Sequence, residues 1–270
     1  MIISIVTLFP ELIDAVVDTS ILGRAKKAGA ITVHALQLRD FSTDKHRTVD
    51  DSPAGGGAGM VLKVDVVVPA VRAAIAAVDV DAAHTRVFFL DARGPVFAQP
   101  MARALAGDVQ HLVLVCGRYE GFDARCFTAR YDKGGVNVVA GLLSIGDLVL
   151  TGGELSALVV VDAVVRLLPG VLGNDSSAVL ESHSVDGLLE HRHYTRPSSF
   201  EGQDIPAVLG TGNHAAIDKA RAKDALLLTR SLRPDLFVRR RRDKQLAKLL
   251  VDDRVAPLVP IVTSSSTSSD

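Results

Sequence analysis

Predominantly apolar runs punctuate the first part of the chain, at residues 2–7, 31–37, 86–90, 112–116 and 148–151. Apolar runs of this length predict strands covered on both faces, where no alternation with polar residues is needed. Between them, hydrophobic positions recur with helical spacing over 10–29, 64–78, 98–106 and 154–168, the last closed by Pro169-Gly170. Strand and helix patterns in alternation predict an α/β layered domain with a mostly parallel sheet.

The pattern changes at residue 173. Gly173-Asn174-Asp175-Ser176-Ser177 has the composition of a linker. A polar, His-bearing stretch follows, then helical patterns at 215–231 and 244–251. We read residues 1–172 as the α/β domain, 173–185 as the linker, 186–252 as a small all-helical domain and the Ser/Thr-rich 253–270 as a disordered tail. Charge divides along the same line. Residues 171–250 carry 13 Lys+Arg against 10 Asp+Glu, and the remainder 17 against 21. The whole chain, at −1, is not a uniformly basic nucleic-acid coat, which leaves only a local basic patch open. With 48% hydrophobic and 23% charged residues over 270 positions, it is also no disordered chain, collagen or disulfide scaffold.

The two cysteines, Cys116 and Cys126, match no zinc spacing and suggest a reducing compartment. The first residues carry no basic segment ahead of an apolar one, and Glu11 and Asp14 follow closely, so no targeting segment is expected. The apolar stretch 155–172 is interrupted by Asp162, Arg166 and Pro169, so no bilayer span is expected and a cytoplasmic location is.

Candidate chemistry concentrates in glycine-bearing loops that follow apolar runs. Gly117-Arg118-Tyr119-Glu120-Gly121, Ser144-Ile145-Gly146-Asp147 and Thr151-Gly152-Gly153-Glu154 fall within one short stretch. Glycine at a strand end lets a ligand approach the backbone and its N–H groups. None is a dinucleotide fingerprint or a Walker A loop, so neither a dinucleotide nor a nucleoside triphosphate is supported. Singly each reads as a turn; together they point to a small-molecule site. Gly55-Gly56-Gly57-Ala58-Gly59-Met60 reads by itself as a flexible surface loop, or as one that approaches an RNA backbone or a partner subunit.

In order along the chain, several motifs together resemble the bacterial tRNA (guanine-N1)-methyltransferase family, TrmD. They are Thr7-Leu8-Phe9-Pro10-Glu11, Arg39-Asp40-Phe41, His46-Arg47-Thr48-Val49-Asp50-Asp51, the 55–60 glycine loop and Cys116-Gly117-Arg118-Tyr119-Glu120-Gly121-x-Asp123. Further on come Ser144-Ile145-Gly146-Asp147, Val149-Leu150-Thr151-Gly152-Gly153-Glu154-Leu155, Pro169-Gly170-Val171-Leu172-Gly173 and His193-Tyr194-Thr195-Arg196-Pro197. The resemblance implies a SPOUT-type parallel sheet with a deep trefoil knot, then a helical domain that helps grip tRNA. It implies methyl transfer from S-adenosylmethionine to N1 of guanosine 37, next to the anticodon, by a homodimer whose active sites draw on both subunits.

It further implies that Leu90, Gly117, Tyr119, Glu120, Ser144, Ile145, Gly146, Leu148, Leu150, Gly152 and Gly153 bind the cofactor. Arg166 matches the family's catalytic arginine. Glu181 stands at the place of its usual catalytic aspartate and becomes the expected general base, with His183 second. Other departures are Asp91-Ala92-Arg93-Gly94 in a loop that commonly carries Ser-Pro, Leu148 for Tyr and Ser156 for Pro. Segment 130–143 is longer than in many relatives, as a mobile lid or a tolerated insertion.

Some family members are thought to need magnesium, yet no motif here shows such a site. His191 and His193 lie i, i+2 without a zinc pattern, so no metal is assigned. The Arg239–Arg242 run is a plausible phosphate contact. Two other readings stay open: a knotted ribose 2′-O-methyltransferase, and a catalytically impaired RNA-binding relative.

Overall fold

The computed structural model describes residues 1–173, 181–183, 187–240 and 244–252. Most of the 173–185 linker, Arg241, Arg242 and the 253–270 tail lie outside them. The chain divides into two compact units, 1–175 and 176–270.

In the first unit the order is β1 (Ile2–Thr7), α1 (Pro10–Val17), α2 (Ser20–Lys27), β2 (Thr32–Gln37), β3 (Asp50–Asp51), β4 (Val61–Leu62), α3 (Val64–Ala76), β5 (Thr85–Leu90) and α4 (Gln99–Asp108). It continues with β6 (His111–Cys116), α5 (Arg125–Thr128), β7 (Asp132–Lys133), β8 (Val136–Asn137), β9 (Val139–Leu143) and α6 (Glu154–Val165). Five strands form one sheet in the order β2-β1-β6-β5-β9, every pairing parallel. The mixed α/β class with a central parallel sheet is therefore as the patterning predicts.

Strand pleating sends alternate residues to opposite faces. Ile3, Ile5, Leu112, Leu114 and Cys116 pack under α1, α2, α4 and α6, while Val6, Val113, Val115, Val87 and Phe89 pack under α3 and α5. Both faces are covered, which is why these strands are mostly apolar.

Three expectations for this unit are corrected. The 10–29 helix is two helices: Asp18 ends α1, Ser20 takes a φ of 51°, and the chain turns back on itself. A Cβ at Gly23 would lie 2.4 Å from the Asp18 carbonyl oxygen, so only glycine lets α2 start that close. Residues 148–151 are an exposed loop rather than a strand, with Val149 89% exposed. The fifth strand is β9, inside the segment expected to be a lid or an insertion. Before it, Tyr131 is fully buried and Lys133 Nζ donates to the Ile75 carbonyl at the end of α3, so this segment is built into the unit.

His111 sits at the start of β6 with no exposure, its Nε2 2.9 Å from Ser4 Oγ and its Nδ1 without a partner. Burial, with positive charge from Lys133 added, lowers its pKa from 6.5 to about 4. The unfolded chain binds a proton on this ring at a pH where the folded chain does not. Stability from this group is thus full above about pH 6.5 and falls as the pH drops towards 4, by about 3 kcal/mol. Urea midpoints measured across that range should fall less steeply for His111→Gln than for wild type. Identical acid slopes would remove His111 as the cause.

The second unit contains the hairpin β10 (Ser199–Phe200) and β11 (Gln203–Asp204), then α7 (His214–Leu232), α8 (Pro234–Arg240) and α9 (Lys244–Val251). The hairpin corrects the all-helical expectation. Asn213 caps α7 by accepting from the Ala216 amide. The chain over 188–196 runs as a strap held to α7. The Leu189 amide donates to Thr229 Oγ1 at 2.9 Å, the Arg192 amide to Asp224 at 2.8 Å, and the Arg192 guanidinium pairs with the same fully buried carboxylate.

Candidate active site

In a parallel sheet the carboxyl ends of neighbouring strands open into a shared crevice. Here β5, β6 and β9 end at Leu90, Cys116 and Leu143, and the loops after them interlock. Ser144 N donates to the Pro95 carbonyl and Phe97 N to that of Ser144, while Gly153 N donates to that of Gly117. Between the loops lies a cavity of about 280 Å³. Every predicted cofactor-binding residue except Gly146 lines it, and Gly146 stands at its edge, its carbonyl accepting from Ser144 Oγ.

The glycines here are required by space. A Cβ on Gly153 would lie 2.7 Å from Cys116 Cα and 2.8 Å from the Gly117 nitrogen. Gly153→Ala should push the β6 end and the α6 start apart, costing about 1–3 kcal/mol of stability. It should weaken cofactor binding more than Gly141→Ala, where no atom lies within 4 Å. Equilibrium dialysis with S-adenosylmethionine checks this; equal affinity in the two variants would count against it. Tyr119 holds a left-handed φ of 57°, strain that is common in ligand-binding loops.

Behind the cavity wall is a buried network that the sequence did not single out. Glu154, 1% exposed, accepts from Thr7 Oγ1 at 2.8 Å and from Arg118 at 3.0–3.1 Å. Arg118 also donates to the Thr151 carbonyl at 3.2 Å and stacks 4.4 Å from the Phe9 ring centroid. One guanidinium thereby joins the 117–121 loop, the 151–153 loop and the end of β1. Burial, reinforced by the Glu154 charge, raises the Cys116 pKa well above the ordinary thiol value, which makes Cys116 a packed thiol and no nucleophile.

Asp91 and Arg93, in the loop after β5, also line the cavity. The Arg93 guanidinium grips the Asp91 carboxylate and holds its pKa below the usual range. The 55–60 loop folds over Glu120, whose amide donates to the Met60 carbonyl at 2.9 Å; this loop is pinned to the site.

Arg166 caps the C-terminal end of α6 in the first unit, half-buried. Glu181 and His183 belong to the second unit, both half-buried, and the His183 amide donates to the Leu188 carbonyl. Residues 177–180 and 184, which flank them in the motif, lie outside the described residues.

The family model for tRNA (Guanine-1)-methyltransferase TrmD matches residues 1–239. A tRNA (guanine-N(1)-)-methyltransferase of Rhizobium johnstonii is 49% identical over 236 residues, which span 87% of this chain and 90% of that protein. The protein of the same name from Agrobacterium fabrum is 49% identical over 87% of this chain and 94% of its own length. That from Myxococcus xanthus is 46% identical over 92% and 95%. With its glycine-lined crevice at the ends of a parallel sheet, this chain belongs to the TrmD family of tRNA (guanine-N1)-methyltransferases.

Proposed function

We infer that the protein transfers a methyl group from S-adenosylmethionine to N1 of guanosine in tRNA, at position 37. The observation that carries the reading is the cavity at the strand ends, lined by the glycine loops the family uses, in a chain that matches the family model over residues 1–239.

The residues present suit the cofactor. Apolar Leu90, Leu148 and Leu150 offer faces for a flat base, the backbone at Gly117 and Gly152 offers close approach, and the Glu120 carboxylate complements a sulfonium cation. Bound there, S-adenosylmethionine supplies an electrophilic methyl group for in-line displacement. The chain's own work is then to bind, orient and handle one proton. Guanine N1 must lose its proton to become nucleophilic, and the Glu181 carboxylate is the base that accepts it. As the proton leaves, negative charge grows on O6, where the planar donors of Arg166 stabilise it.

Other features support the finer points. The interlocked loops after β5, β6 and β9 are the kind of crossing a deep trefoil knot requires, a rare departure from unthreaded chains. Leu155 and Val159, one turn apart on α6, are 56% and 46% exposed, and Val16 on α1 is 40% exposed. Such apolar surface favours a second copy of the chain as partner. The second unit, with Arg239 and Arg240 ending α8, suits contact with tRNA phosphates. No helix among the described residues is long and apolar enough to cross a membrane.

The test is transfer of labelled methyl to an unmodified tRNA with guanosine at 36 and 37, followed by digestion to nucleosides. The expected product is 1-methylguanosine at 37. A 2′-O-methylated nucleoside would move the protein to the ribose methyltransferases. Bound tRNA with no methylated product would leave a binding protein only.

A further inference from the structure

Glu190, His191 and His193 place one ligand atom each within 4.8 Å of the others. We propose that these three side chains form a site for one borderline divalent cation of the zinc class. The site belongs to the second unit and shares no residue with the cavity at the strand ends.

Its geometry follows from the strap against α7. Arg192 is pinned inward by Asp224 through both its amide and its guanidinium. In an extended chain the neighbours of an inward residue point the other way, so His191 and His193 share the opposite face. Their rings meet edge to face with centroids 4.6 Å apart. The Glu190 amide donates to Ser182 Oγ at 2.8 Å, which fixes the third member's backbone.

His193 Nε2 and Glu190 Oε1 already stand 2.9 Å apart. Two ligands about 2.0–2.1 Å from a tetrahedral zinc are roughly 3.3 Å apart, so the pair needs to open by only a few tenths of an ångström. A metal ion bound between them would replace this direct contact, with a neutral imidazole nitrogen and an ionised carboxylate oxygen as its ligands. His191 Nδ1 is buried with no hydrogen-bond partner, so part of this ring has no role in the hydrogen bonding of the strap.

Two imidazoles and one carboxylate select zinc, cobalt, nickel or copper over magnesium, which prefers oxygen ligands and keeps its waters. Three protein ligands leave a fourth position open, as in zinc sites that exchange a ligand. The two histidines also line a cavity of about 420 Å³, together with Arg196 and Arg221, whose positive charge suits an anionic oxygen as fourth ligand.

The test uses the untagged full-length chain, stripped with chelator and titrated with Zn²⁺ against a chromophoric chelator. Wild type should bind one equivalent. His191→Ala/His193→Ala should lose that equivalent, and Glu190→Gln should bind about tenfold or more weakly. Far-UV circular dichroism without metal checks that each variant folds; His193→Ala, altering an exposed side chain, serves if the double variant does not. Co²⁺ should give a visible ligand-field band in wild type alone. Zinc at 100-fold over Kd should raise the wild-type melting midpoint by about 5 °C and leave the double variant's unmoved. Equal zinc stoichiometry and affinity in wild type and the double variant would overturn the proposal, as would no binding by wild type.

Discussion

Alanine at Arg166 and alanine at Glu181 are each expected to reduce single-turnover methyl transfer by about 10²–10⁴-fold, with the KM for S-adenosylmethionine nearly unchanged. In the proposed mechanism the two residues serve the acceptor base rather than the cofactor. Removing either should therefore slow the chemical step and leave cofactor affinity alone. The isosteric change Glu181→Gln is the sharper test, because it keeps size and polarity while removing the proton acceptor. It should be as slow as Glu181→Ala. Glu181→Asp shortens the reach by one methylene but restores the residue usual in the family, and should retain most of the activity. For a carboxylate base, log kcat should rise with pH and level off above the carboxylate's pKa in the enzyme–substrate complex. Activity that survives both Glu181→Ala and Glu181→Gln would transfer the base role to His183. Arg166→Lys separates charge from shape: a point charge cannot reproduce two parallel donors, so recovery should be partial. Full recovery with lysine would reduce the arginine's part to charge alone.

Much of the scaffold was legible for a simple reason. A strand covered on both faces is apolar at most positions, and residues 2–7, 86–90 and 112–116 meet that condition, with Ser4, Thr7 and Arg86 as the polar members. The one strand of the five-stranded sheet that was missed, β9, does not: Val139 is 59% exposed and Gly141 interrupts the run, as fits an edge of the sheet. The apolar run at 148–151 was misread because the demand on it differs. Leu148 and Leu150 are apolar where they line the cavity, and the ladder plays no part.

Within the site, the glycine loops could be seen in sequence, since close backbone approach leaves glycine as its trace. The Thr7–Glu154–Arg118 network could not. Its members come from three separate parts of the chain, and only the sheet brings them together. The carboxylate of the histidine cluster was hidden differently. Glu190 adjoins His191 in sequence, but it becomes a third ligand only once the strap has fixed the direction of each side chain.

Arg118→Ala is expected to lower the unfolding free energy by about 3–5 kcal/mol and to raise the KM for S-adenosylmethionine at least tenfold. The asymmetry of the ion pair gives the reason. The Glu154 side chain is 2% exposed and that of Arg118 21%, so removing the arginine strands a carboxylate in the interior, whereas removing the carboxylate leaves an arginine that reaches water. Glu154→Gln should cost less, about 1–2 kcal/mol, because the amide oxygen can still accept from Thr7 and Arg118 keeps the Thr151 carbonyl and the Phe9 ring. The double variant Arg118→Met/Glu154→Gln should be more stable than Arg118→Ala alone, since no buried charge remains and a long apolar side chain refills the space. Stability and function should nevertheless separate in that variant. With the guanidinium gone, nothing ties the 117–121 loop to the Thr151 carbonyl, so stability returns while the raised KM persists. Denaturant midpoints and cofactor KM measured for wild type, Arg118→Met, Glu154→Gln and the double variant complete the cycle. Strictly additive stability changes would mean that Arg118 and Glu154 do not act as a pair, and a KM restored along with stability would mean that the clamp has no part in holding the cofactor loops.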